Sequence, residues 1–170
     1  MNAHQRGADL TPSRPRRDRL CEERQRDPYL SRRKHREPTV CTYCGAVFHQ
    51  GRWQWLEADC DAEKHPCPAC RRIRDHLPAG VLTLRGDYFL DHKDELLHLI
   101  RHTEERESSN HPMERIIEIE ESNDGRQTVI TFTGIHLTRG VGAALRHAHQ
   151  GEFNYSYTER DDVLRASWER

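Results

Sequence analysis

Two CxxC steps, Cys41-Thr42-Tyr43-Cys44 and Cys67-Pro68-Ala69-Cys70, are separated by 22 residues, and they limit what this chain can fold into more than any other feature. In each step the backbone bends into a knuckle that turns both sulfurs toward one point. Two knuckles can therefore close a tetrahedral four-thiolate site around a single ion. The separation slightly exceeds the roughly 15–20 residues of a typical four-cysteine zinc ribbon, an excess that a longer hairpin absorbs. Gly45 follows the first pair and can take the positive φ that the turn needs. Phe48, Trp53 and Trp55 are then expected on the hairpin that packs over the site. The expected ion is Zn2+, with iron in a rubredoxin-like arrangement as a rival. A redox dithiol fits less well, because a second CxxC is present and neither copy sits in a thioredoxin-like βαβ unit. A disulfide framework needs an oxidising compartment, which no sequence feature indicates. Cys60 and His65 lie close enough to stand as substitute ligands, and Cys21 reads as a free thiol.

A metal would also answer a shortage of core. The 170 residues are 34% hydrophobic and 32% charged, so part of the chain cannot fold by burial alone. Residues 1–38 hold 11 Lys and Arg against 6 Asp and Glu, a balance of +5, while residues 39–170 hold 16 against 22, a balance of -6. The first segment, with Arg14-Pro15-Arg16-Arg17 and Arg32-Arg33-Lys34, has too little apolar area to offset the entropy of ordering itself. It is expected to be a disordered basic tail, either solubilising or contacting phosphates. No basic n-region leads into an apolar stretch and no run approaches a membrane span, so the expectation is a soluble, cytoplasmic chain with reduced cysteines.

The organisation that follows is a tail over 1–38, a zinc ribbon over 39–77 and an α+β domain over 78–170, joined at Leu77-Pro78-Ala79-Gly80. Residues 81–86 read as a strand. Residues 87–107 read as one helix with Phe89, Leu90, Leu96, Leu97 and Ile100 on its inner stripe. A break before Pro112 is followed by strands over 113–121 and 126–133, joined by a turn at Asp124-Gly125. A second helix carries Ile135, Val141, Ala144, Leu145 and Ala148 inward, and strands over 152–157 and 162–168 end the series. The order β-α-β-β-α-β, plus one strand, is that of a ferredoxin-like sandwich with two helices on one face of an antiparallel sheet.

The run from Cys41 through Gly51 and Trp53, then Cys67 to Arg71, then the α+β body from Asp124-Gly125 to Trp168, resembles a bacterial family of small zinc-ribbon proteins with paired CxxC knuckles. It is similar, more distantly, to the N-terminal region of the eukaryotic adaptor that exports the large ribosomal subunit, and to its archaeal counterpart. The resemblance spans roughly residues 38–169. It implies zinc on Cys41, Cys44, Cys67 and Cys70 and association with ribosomes or structured RNA. It does not imply nuclear export, because the adaptor's further domains and targeting signals have no equivalent here.

Other residues carry weaker signals. His98 and His102 share one helix face, but no glutamate stands between them as in HExxH, so they read as solvated. His136 and Arg139 open the second helix, where an anion could bind; capping by Thr133 and tight helix-to-sheet packing is the plainer reading. No nucleophile motif, P-loop or dinucleotide fingerprint is present. Three functions follow. The first is a non-enzymatic zinc protein that binds ribosomes or RNA through Arg52, Arg71, Arg72, Arg74 and the tail residues Arg32, Arg33 and Lys34, with Trp53 or Tyr43 stacking on bases. The second is a protein–protein adaptor or stress-related regulator with a purely structural zinc. The third is an enzyme with an open metal or redox centre.

Overall fold

The computed structural model describes residues 28–29, 35–157 and 162–170. Cys21, Arg32, Arg33, Lys34 and nearly all of the expected tail lie outside the described residues. Four short strands, β1 (Thr39–Val40), β2 (Val47–His49), β3 (Arg52–Gln54) and β4 (Glu63–Lys64), precede an eight-residue helix, α1 (Pro68–Asp75). They form a small sheet of order β3-β2-β1-β4, in which β4 runs parallel to β1. The rest of the chain is β5 (Gly80–Arg85), α2 (Asp87–Asp91), α3 (Lys93–Asn110), β6 (Ile116–Glu121), β7 (Gln127–Phe132), α4 (Ile135–His149), β8 (Glu152–Tyr157) and β9 (Leu164–Glu169).

Alternation builds the larger sheet's core. Leu82 and Leu84 from β5, Ile130 and Phe132 from β7, and Ala166 and Trp168 from β9 point to one face, where Leu96 and Ile100 of α3 and Leu137, Val141 and Leu145 of α4 meet them. Each buried leucine, isoleucine, valine or phenylalanine among them contributes roughly 1.5–3 kcal/mol by leaving water. The inner stripe of α4 differs from expectation at its ends: Leu137 and Thr138 are buried, while Ala148 is exposed.

The helix expected over 87–107 is two helices. His92 sits at φ -119°, ψ 20°, outside the helical region, with its ring stacked on Tyr88 at 4.0 Å. The break rotates Leu90 out of the stripe, leaving it 40% exposed. At the other end, the strand expected from Met113 starts only at Ile116, because residues 111–115 are held as a connection by Thr133.

The five-stranded sheet has the order β6-β7-β5-β9-β8. Its β6-β7-β5 portion is antiparallel, and two helices cover one face as expected. The sheet as a whole is not purely antiparallel, since β9 lies parallel to β5. The strand after α4, β8, is antiparallel to β9 and forms the edge, so the extra strand is inserted inside the sheet. Burial explains the placement: β9 brings Leu164, Ala166 and Trp168 to the core, whereas β8 offers only the half-buried Phe153.

Candidate metal centre

The first knuckle lies between β1 and β2. Cys41 N–H donates to the Ala46 carbonyl at 2.7 Å, Gly45 N–H donates to the Cys41 carbonyl at 3.0 Å, and Gly45 takes φ 77°, as its position required. The second pair is not a matching hairpin knuckle. Cys67 is the N-cap of α1, its sulfur accepting from Cys70 N–H at 3.4 Å, and proline follows in the first helical turn, where a missing N–H costs nothing. The ribbon expectation thus gives way to a knuckle, a hairpin and a helix, with the second CxxC on the first turn of that helix.

These elements bring Cys41, Cys44, Cys67 and Cys70 together, with all four sulfurs within 4.8 Å of one another. The Cys44 and Cys67 sulfurs are 3.8 Å apart. A tetrahedron with metal–sulfur bonds of ~2.3 Å has edges of about 3.8 Å, so the donor set fits a single four-coordinate ion. Cys60 is exposed and outside the group, and His65 packs its ring against His35 at 5.0 Å. Burial pushes the Cys41 thiol up, but N–H groups at Cys67, Cys44 and Tyr43 outweigh it and bring its pKa down to about 6. Burial dominates at Cys44 and Cys67 and raises both. Four such sulfurs are poor neighbours for one another without a cation among them.

One cation is present that the sequence did not announce. Arg115, from the connection before β6, directs Nη2 at Cys70 Sγ (3.3 Å), Cys67 Sγ (3.4 Å) and Cys44 Sγ (3.9 Å). Burial works against its charge, but the three sulfurs hold its pKa above the ordinary value. No carboxylate pairs with it among the described residues, and its Nε is buried without a partner. Nothing in Met-Glu-Arg-Ile-Ile distinguishes this arginine from one facing water.

The other candidate residues are dispersed. Arg72 is buried, donates Nη1 to the Leu77 carbonyl at 3.0 Å and stacks on Tyr29, with Arg71 on the same ring at 5.0 Å. The Tyr29 hydroxyl donates to Asp75 at 2.9 Å, and Asp75 also pairs with Arg74 at 2.9 Å. Arg71, Arg72 and Arg74 are therefore engaged around one tyrosine and one carboxylate on α1. The apolar Tyr29-Leu30 pair inside a charged segment was the available signal for that anchor. Arg52 is exposed beside a cleft of about 920 Å³, walled by Phe48 and Trp53 on one side and by His111, Met113 and His136 on the other. Tyr43 is 63% exposed; Trp55 is exposed too, its indole N–H bound to the Ser108 carbonyl.

The expected anion position on α4 is taken. Glu114, not Thr133, accepts from Leu137 N–H at 2.8 Å, and a Cβ on Gly134 would collide with that carboxylate. Thr133 instead accepts from Arg115 N–H and donates to the Met113 carbonyl. Arg139 binds the Tyr157 hydroxyl at 2.6 Å, and exposed His98 and His102 lie on α3 away from the sulfurs.

Fold and site together define a mixed α/β protein whose smaller part is organised by a metal-competent four-cysteine cluster. Comparison with protein-family models, curated proteins and solved structures finds no match to this chain.

Proposed function

We propose that the protein is a non-catalytic binding protein whose four-cysteine centre holds zinc for structural reasons, and that it works in the cytoplasm in association with ribosomes or structured RNA. The observation that carries the metal half is the half-buried Arg115 guanidinium, its Nε out of water, with three sulfurs as its only described counter-charge. A divalent ion with four thiolates bears a net -2, which compensates that cation; four neutral thiols would leave it uncompensated. With four protein ligands the coordination sphere is closed, the mark of a structural site rather than a catalytic one. Zinc in such a site contributes on the order of 10 kcal/mol or more to folding.

The RNA half is supported by the cleft. Trp53 and Phe48 offer stacking surface beside the exposed Arg52, and the basic stretch 1–38 could add phosphate contacts. The resemblance to the ribosomal export adaptor and to the bacterial CxxC family points the same way. A protein partner is the second reading, favoured by the -6 balance of residues 39–170 and by the exposed Tyr155 and Tyr157 on edge strand β8.

Elemental analysis of the purified chain tests the first half; one zinc per chain is expected, and iron or no metal would refute it. Sedimentation of lysate through sucrose gradients at low and high salt tests the second. Salt-sensitive co-migration with ribosomal particles is expected, and absence from those fractions at low salt would remove the RNA reading.

A further inference from the structure

The metal centre and the larger sheet are built from different stretches of chain, and Arg115 is where they meet electrostatically. Its backbone belongs to the larger part: Arg115 N–H donates to Thr133 Oγ1 at 2.8 Å, and Thr133 N–H donates to the Arg115 carbonyl at 2.9 Å, just past the end of β7. Its guanidinium belongs to the smaller part, with Nη2 on three of the four sulfurs. The neighbouring Met113 packs on the cysteine cluster. Two further polar links between the parts among the described residues, Trp55 to the Ser108 carbonyl and His76 to Glu118, are exposed and correspondingly weak. The cleft is lined from both sides, by Phe48, Trp53 and Ala69 of one part and His111, Glu114 and His136 of the other. It exists only while the two parts are docked.

We propose that Arg115 is a positioning residue that makes this docking, and with it the cleft, depend on the bound metal. The proposal rests on the metal-centre reading given above. With the ion in place, the guanidinium sits against a centre of net negative charge and completes it with N–H donors, as an outer-sphere group does. Without the ion, that counter-charge no longer exists as an ordered cluster. A half-buried cation with no anion, its Nε already out of water, is drawn toward solvent. Because Arg115 is fixed to Thr133, its departure draws the 111–115 connection away from the cysteine cluster. Metal occupancy would then set whether a ligand finds a formed cleft.

The test compares wild type, Arg115→Gln and Arg115→Lys as full chains. Metal retention is read by loading Co2+ and recording the tetrathiolate charge-transfer bands. Docking is read by hydrogen exchange in peptides covering 52–58 and 105–115, with 163–169 as an internal core control. In metal-loaded wild type the two interface peptides should be protected, and chelation should speed their exchange on the order of a hundredfold. Arg115→Gln should keep one metal with shifted charge-transfer bands, yet exchange at the chelated rate whether or not metal is present. Arg115→Lys, which restores the charge, should recover most of the protection. Wild-type protection in metal-loaded Arg115→Gln overturns the proposal, and so does loss of metal from that variant, which would make Arg115 part of the site's own stability. Wild type that takes up no metal would instead sink the metal-centre reading itself.

Discussion

The two parts of this molecule reach order by different means. The larger one buries a continuous set of side chains, with Trp168, Phe89 and Phe132 wholly out of water beside leucines and isoleucines from three strands and two helices. The smaller one has strands of two or three residues, and its buried cluster is Cys41, Ala46, Cys67, Ala69 and Cys70. Even with Val47 and Tyr29 buried and Trp53 packed against the cluster, this is far less buried carbon than in the larger part, and strands so short are marginal without other support. The lesson is that order here is local in kind: hydrophobic burial holds one half, and a cluster of four cysteines able to take a metal ion sits at the centre of the other.

The sharpest way to break that contrast is to remove one ligand. Cys67→Ser should abolish stoichiometric metal binding and cost the smaller part most of the ~10 kcal/mol or more that a structural zinc supplies. In an NMR spectrum the resonances of residues 39–75 should collapse while those of β5, β7 and β9 persist. Simultaneous loss of both sets would show that the larger sheet is not independent of the metal. The reciprocal experiment is Trp168→Ala. Its indole is fully buried and donates to the Gln150 carbonyl at 2.8 Å, so truncation should cost about 3–5 kcal/mol in denaturant unfolding of the larger part. The zinc content should stay unchanged.

A smaller effect sharpens how the larger part holds its outer strand. Gly142 of α4 faces the Phe153 ring of β8, and a Cβ there would come within 2.0 Å of ring carbons. Gly142→Ala should destabilise by about 1–3 kcal/mol through overpacking, and adding Phe153→Leu should recover part of it. Recovery would establish that the Gly142–Phe153 contact sets how closely β8, held along its length by β9, packs on α4; a variant as stable as wild type would mean that the Phe153 ring shifts aside without cost.

What the sequence made legible follows the same division. Period-two alternation in β5, β7 and β9 and the Asp124-Gly125 turn were readable because burial on one face writes itself into the pattern. The four cysteines were readable because ligand spacing is a local constraint. The position of β9 was not, because pairing order in a sheet depends on which strand carries more core, and both final strands alternate. The start of α1 at the second CxxC was hidden for a different reason: a proline after cysteine suits a knuckle and a helix N-terminus equally. Arg115 was invisible since its partners lie 45 to 71 residues away. The arginines of α1 looked free because the tyrosine that gathers them, Tyr29, precedes them by more than 40 residues.

The smallest expected effect lies in the smaller part and asks how far aromatic packing adds to the cysteine cluster in holding it. His35 packs edge-on against Phe48 (5.2 Å) and Trp53 (5.7 Å) and lies beside His65. Burial, then the charge that His65 can carry, lowers its pKa, with Arg71 acting in the same direction and Glu63 opposing. A histidine held neutral in this way adds its full stabilisation above the unfolded pKa of about 6.5. As pH falls below that value the unfolded chain takes up the proton first, so the contribution shrinks and is gone once pH passes below the folded pKa. Following the His35 ring resonances through a pH titration of the zinc-loaded protein should give a midpoint below that of an unfolded histidine. His35→Gln should abolish that component of the pH dependence while leaving the zinc content intact. A midpoint at or above the unfolded value would mean that the aromatic cluster leaves the ring in water and that His35 adds no such pH-dependent contribution to this half of the molecule.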